Sequence, residues 1–221
     1  MSSRKVLALV VLLLLVAGGI YLFSTHAPGE DGVAATSTPE TPDDYYADAS
    51  AWQTYSGDDS GFSIRYPLDF ATNEIHDAST TGWRVNSTQP GTLLFTLTVP
   101  KAFEPQTNFA DARLTVGKSS DPQAVAACLT ADPSGAPSTV PTKVTIDGHE
   151  FTVFASEDAG AGNLYDMTSY RTVRGDVCYA IEYVIHSTQL ANYPESYGLH
   201  EFDKARVKAV LDRMAGTFAF E

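Results

Sequence analysis

The sequence predicts an α+β domain, a central antiparallel sheet flanked by helices, preceded by an N-terminal transmembrane helix. Three observations lead there. Short stretches alternate apolar and polar residues and are separated by turns containing Gly and Asp, as strands of a hairpin-linked sheet do. Two helical patterns lie among them, one mid-chain and one near the end. An unbroken apolar run, Val6 to Phe23, follows Arg4 and Lys5.

Composition narrows the function classes. Of 221 residues, 14 are Lys or Arg and 27 are Asp or Glu, a net charge of −13. That is too acidic for a chain that grips nucleic acid by its phosphates. With 43% hydrophobic residues it is too apolar for a disordered chain, and two Cys are too few for a multi-disulfide scaffold.

The eighteen residues Val6–Phe23 would make a helix of about 27 Å, close to the ~30 Å hydrocarbon core of a bilayer. A cleaved signal peptide has an apolar part of about 7–15 residues. Candidate cleavage sites fit poorly, because Thr25-His26-Ala27 runs into Pro28 and Val33-Ala34-Ala35 lies well past the run. The reading is an uncleaved anchor. No Cys is near enough for a lipoprotein start, and no acidic residue precedes Glu30, as a type IV pilin start would require. Arg4 and Lys5 keep residues 1–5 in the cytoplasm, since no further Lys or Arg occurs before Arg65, and everything after the anchor is exported. Without those two, the count is 12 basic against 27 acidic residues, a surface that anionic headgroups repel.

Residues 24–51 carry Pro28, Pro39 and Pro42, the run Thr36-Ser37-Thr38 and several acids without hydrophobic periodicity, which reads as a disordered acidic spacer. A calcium-binding tail would need a ligand-spaced loop, and none is present. The folded domain is expected over 52–221, long enough for one real core.

Gly61 to Tyr66 alternates and Pro67 ends it, giving a strand. Gly82-Trp83-Arg84-Val85, Thr92 to Val99 and Ala112 to Val116 read as three more. Ser120 is the expected cap of a helix with Pro122 near its start and Val125, Ala126, Cys128 and Leu129 inward. Lys143–Ile146, Asp147-Gly148 and Phe151–Phe154 form an Asp-Gly hairpin. A second hairpin runs from Leu164 to Val173, turns at Arg174-Gly175-Asp176, and returns from Val177 to His186. Its returning strand places Val177, Tyr179, Ile181, Tyr183 and Ile185 on one face, the expected core face. Asp203 to Met214 is a helix with Val207, Val210, Leu211 and Met214 at i, i+3, i+4 and i+7, stopped by Gly216. Thr217-Phe218-Ala219-Phe220 adds a closing strand.

Cys128 and Cys178, the two cysteines of an exported domain, read as one disulfide that closes a loop of about 50 residues. Cys178 lies on the face opposite Tyr179, so the first helix must cover that face. A redox or nucleophilic thiol would want a Cys-x-x-Cys motif or a neighbouring His, and two buried free thiols are the plain alternative.

Candidate chemistry is sparse. Gly57-Asp58-Asp59-Ser60-Gly61 is similar to a serine-protease nucleophile loop, but no His precedes it within the domain, and a turn explains it. Arg174-Gly175-Asp176 matches the integrin-binding tripeptide at a place where a hairpin needs Gly and Asp. Asp158-Ala159-Gly160-Ala161-Gly162-Asn163 falls short of a Gly-rich phosphate fingerprint and reads as a tightly folded loop at a functional edge. Asn86-Ser87-Thr88 is a glycosylation sequon. His149-Glu150, His186, and His200-Glu201 with Asp203 lack metal-ligand spacing. A metal or acid/base site would have to be assembled in space from His186, His200 and Glu201, whereas Glu201 and Asp203 also suit a helix N-terminus. Tyr193 and Tyr197, in a loop, are candidates for ligand recognition, with folding back over the sheet edge as the plain alternative.

Trp52, Tyr55 and the run Gly61-Phe62-Ser63-Ile64-Arg65-Tyr66-Pro67-Leu68-Asp69-Phe70 resemble the opening of PsbP-like domains, and the closing helix with Thr217-Phe218-Ala219-Phe220 resembles that family's end. Residues 158–163, Cys178 and Ile181 to His186 are similar to uncharacterised membrane-anchored exported proteins of candidate-phylum bacteria. The resemblance implies a central antiparallel sheet between helices and an accessory or binding role. It carries over no functional residue, and the anchor and cysteine pair depart from the photosystem members. The expectation is therefore a single-pass extracytoplasmic binding domain, tied to the membrane by its N-terminal helix, with a protein or envelope partner and no nucleic acid. The alternatives are an envelope hydrolase or metal-dependent enzyme and a small-ligand-sensing domain. The sequence names no cofactor.

Overall fold

A sheet with apolar residues on both faces needs two covers, and this chain builds both. The computed structural model describes residues 42–56, 61–73, 82–131 and 140–221. All lie in one compact unit, Glu40–Glu221. The expected anchor at 6–23, the expected cytoplasmic tip, most of the expected spacer, and residues 57–60 of the stretch read as a turn fall outside the described residues. Among those described, no helix is long and apolar enough to cross a membrane.

Strands β1 (Gln53–Ser56), β2 (Phe62–Tyr66) and β10 (Ala219–Phe220) form a small antiparallel sheet in the order β1-β2-β10. The large sheet, also antiparallel, contains β3 (Ala71–Asn73), β4 (Thr92–Val99), β5 (Phe109–Ser119), β6 (Thr142–Ile146), β7 (His149–Gly160), β8 (Asn163–Arg174) and β9 (Val177–Thr188). Its order is β3-β4-β5-β9-β8-β7-β6. The helices are α1 (Pro42–Ala47), α2 (Pro122–Ala127) and α3 (Lys204–Gly216).

The hairpins follow their turn chemistry. Asp147 and Gly148 both adopt positive φ, 47° and 74°, the type I′ requirement that Asp-Gly meets at low cost. Arg174 pairs with Val177 across Gly175-Asp176. The stretch 158–163 is not a loop. β7 and β8 stay paired to Gly160↔Asn163, and Ala161-Gly162 (φ 51° and 80°) makes a second two-residue turn.

One face of the large sheet packs against the small sheet and α3. Phe95, Leu97, Leu114, Ile181, Tyr183 and Ile185 meet Phe62, Ile64, Phe218 and the predicted stripe Val207, Val210, Leu211 and Met214. Each fully buried side chain of this kind stabilises the fold by roughly 1.5–3 kcal/mol. On the other face Cys178 and Ala180 are covered by Trp83, Ala124 and Cys128, so the helix does lie over the Cys178 face. Val177 and Tyr179 are only half-buried, because β9 outruns the core at that end.

Three local expectations are corrected. Gly82–Val85 is not a strand but a bend and turn crossing the sheet, with Trp83 and Arg84 buried. Its backbone approaches β5 so closely that a Cβ on Gly117 would overlap the Trp83 carbonyl oxygen. The cap of α2 is Asp121, not Ser120: its Oδ1 accepts from Gln123 N–H (2.9 Å) and Ala124 N–H (3.1 Å). Ala126 is exposed and Leu129 is 49% exposed, since the helix ends at Cys128 and only Ala124 and Cys128 turn fully inward. The third concerns residues 42–51, expected within the spacer, which fold. Tyr46 of α1 lies 4.8 Å from the Phe103 ring and 5.8 Å from Phe70, and a short 3₁₀ turn, Ala49–Ala51, is capped by Asp48.

Candidate functional site

The ends of β4, β5 and β9 leave a cleft of about 500 Å³. Its floor is one cross-strand row. Thr92 pairs with Lys118, and Lys118 pairs with Tyr179. Paired residues send their side chains to the same face, which here continues the main core beyond its last apolar layer. Pro90 and Gly91 form one rim, Ser119, Ser120 and Asp121 another, and Val177 opens the third side.

The cleft stands on a stiff base. Ser119 Oγ donates to the Pro90 carbonyl at 2.5 Å, and a Cβ on Gly91 would overlap the Trp83 ring beneath it. Trp83 Nε1 donates to the Gln89 carbonyl at 3.0 Å. Cys128 and Cys178 form a disulfide and both are fully buried. Cys178 sits between the lining residues Val177 and Tyr179 in sequence, so the bond ties β9 to the helix α2 whose cap, Asp121, lines the cleft. Tyr179 meets Phe220 edge-on at 4.9 Å, and the Arg174 guanidinium lies over the same Phe220 ring at 4.6 Å. The arginine of the Arg174-Gly175-Asp176 tripeptide is thus engaged within the fold.

Lys118 is half-buried, and its ammonium makes no hydrogen bond or ion pair among the described residues. Every other described lysine has partners. Lys101 donates to the Thr107 and Phe109 carbonyls, Lys143 pairs with Glu150, Lys204 with Glu157 and Asp166, and Lys208 with Asp212. Sequence reasoning missed Lys118, because a single Lys on an alternating strand looks like any solvent-facing residue.

A smaller recess of about 150 Å³ lies between α3 and strands β7–β9. There Lys204 bridges Glu157 and Asp166. Burial pushes the Asp166 carboxyl above its ordinary range, and the Lys204 contact only partly opposes this. The hydrogen bond from Lys204 holds the exposed Glu157 below its usual value. Tyr170 and Tyr183 both donate to Asp212 Oδ1, at 2.6 and 2.5 Å. Burial first, then that carboxylate, raises both phenols well above their usual range. Across the sheet, Glu182 is buried with Arg171 at 3.7 Å and accepts from Ser169 Oγ and the Val85 N–H, pinning the Trp83 segment to β9.

The sequence candidates lie elsewhere. His186 Nε2 is 2.8 Å from Asn163 Oδ1, Nδ1 is 3.4 Å from Asp111 Oδ2, and its ring stacks on Tyr165 at 4.8 Å. His200 and Glu201 are exposed, the backbone of His200 pairing with Gln106 and Asn108. Among the described residues no group of three His, Cys, Asp or Glu could hold a metal ion. Tyr193 and Tyr197 face each other at 6.2 Å on short 3₁₀ turns and line neither cavity, and Tyr197 is 65% exposed rather than folded over the sheet edge.

No protein-family model matches the chain, and no curated protein matches it. Among solved structures it is similar to the solution structure of cyanobacterial PsbP (CyanoP) from Synechocystis sp. PCC 6803, at 14% identity and a TM-score of 0.41, over 89% of this chain and 99% of that one. It is also similar to a crystal structure from Bacteroides thetaiotaomicron, at 12% identity and a TM-score of 0.40, over 77% of this chain. The match spans about half (48%) of that Bacteroides protein.

Proposed function

We propose that the chain is a single-pass, membrane-anchored binding domain held outside the cytoplasm, where it engages an envelope component or protein without catalysing a reaction. The observation that carries this reading is the buried Cys128–Cys178 disulfide, since such bonds form and persist in oxidising compartments. The apolar run Val6–Phe23 after Arg4-Lys5 supports the anchor and its direction. The cleft at the ends of β4, β5 and β9 supports binding, since its volume falls in the ligand-pocket range of about 300–1,000 Å³.

The test is alkylation of thiols in freshly broken cells under denaturing conditions, with protease added to intact cells in parallel. The expected result is no free thiol and a domain open to external protease. Two alkylated cysteines in a protease-protected domain would overturn the reading.

A further inference from the structure

Resting on that reading, we infer that the cleft takes a small monocarboxylate, its charge on the Lys118 ammonium and its body against Tyr179 and Val177. Lys118 is half-buried and lines the cleft, and an ammonium with no partner of its own can receive a carboxylate there. This chain has 27 acidic residues to choose from, yet Lys118 alone among the described lysines has none and no carbonyl either. The missing partner is best supplied from outside.

The surroundings fix the class of anion. The Gln123 and Ala124 amides that begin α2 are already taken by Asp121 Oδ1, so they cannot serve a phosphate. A dianion would meet one cation, the Asp121 carboxylate on the rim and a protein of net charge −13. One negative charge is what one ammonium balances. The hydroxyls of Thr92 and exposed Ser120 can complete its hydrogen bonds, and Asp121, with no other bond from its side chain, can accept from a ligand N–H. Beyond the charge, the Tyr179 ring and Val177 offer an apolar wall for a planar or hydrocarbon body.

The experiment titrates 4-fluorohippurate, an N-acyl glycine with one carboxylate, one N–H and an aromatic body, into the full oxidised chain in neutral detergent micelles, read by ¹⁹F NMR line broadening. Saturable broadening is expected. Lys118→Gln should weaken it about tenfold or more, and Lys118→Arg should restore most of it. The neutral amide, 4-fluorohippuramide, should bind the unaltered chain no better than hippurate binds the Gln variant, and inorganic phosphate should not displace hippurate at equal concentration. An unchanged melting temperature in Lys118→Gln separates lost binding from lost fold. Absence of saturation, equal binding by Lys118→Gln, or displacement by phosphate would each overturn the assignment. Free thiols in cells would overturn the compartment and leave these titrations standing, whereas a null titration of the oxidised chain overturns the ligand class alone.

Discussion

Gly117 and Gly91 decide how close Trp83 can lie to the sheet. A methyl on Gly117 would meet a backbone oxygen, which cannot swing aside as a side chain can. Gly117→Ala should therefore lower stability by about 1–3 kcal/mol, read as a fall in the urea midpoint. Neither glycine could be assigned this task from the sequence, because the segment it accommodates looked like another strand. The same scale governs pH. Asp166 has a raised value in the folded state, so the stability it contributes is full below the ordinary aspartate value of about 3.9 and is lost as pH rises through the raised one. Glu157 has the opposite sign, its contribution present above its ordinary value and lost as pH falls through the lowered one. Asp166→Asn should flatten the decline on the alkaline side of pH 4 in denaturation measured across pH, with the acid limb kept. The cysteine pairing, by contrast, was legible, since two cysteines leave one intramolecular bond to make.

Helix α2 is six residues long and too short to persist by itself, so what holds it are Asp121 at one end and the disulfide at the other. Reduction should cost ~4 kcal/mol for a loop of this length in the chain-entropy model, seen by comparing urea unfolding with and without a strong thiol reductant. The cap residue Asp121 lines the cleft and should loosen with the helix, so hippurate broadening should weaken under reduction before the large sheet unfolds. At α3, Asp203 Oδ1 accepts from the Arg206 N–H at 2.9 Å, and Asp203→Ala should cost about 1 kcal/mol. Elements with strong local chemistry were legible: the Asp147-Gly148 hairpin, the apolar stripe of α3, the alternation of β9. Helix α1 was not, because Pro42, Asp43 and Asp44 look like spacer, and its order comes from Tyr46 meeting Phe70 and Phe103, contacts across the chain that no window reveals.

Across the whole molecule, β9 sits at the centre of the large sheet with β5 and β8 as neighbours, while β6 forms an edge. Amide exchange should be slowest in β5 and β9 and fastest among the large-sheet strands in β6, as followed by hydrogen–deuterium exchange; equal protection of β6 and β9 would contradict this order. The α+β class and antiparallel sheet could be read because hairpins connect neighbours in sequence. The split into two sheets could not, since β10 joins β2 from far along the chain, and the cleft could not because it exists only where three strands end together.

The small sheet also has a mechanical side. The chain enters β1 opposite Tyr66 and leaves β10 opposite Phe62, with both strands antiparallel to β2. Tension drawn between the two ends of this unit therefore runs along the strands, across hydrogen bonds that lie perpendicular to them. The load falls on β1, β2 and β10 in shear, so their bonds resist together instead of opening one at a time. Loaded from the two ends of the chain, this unit would give way late and abruptly.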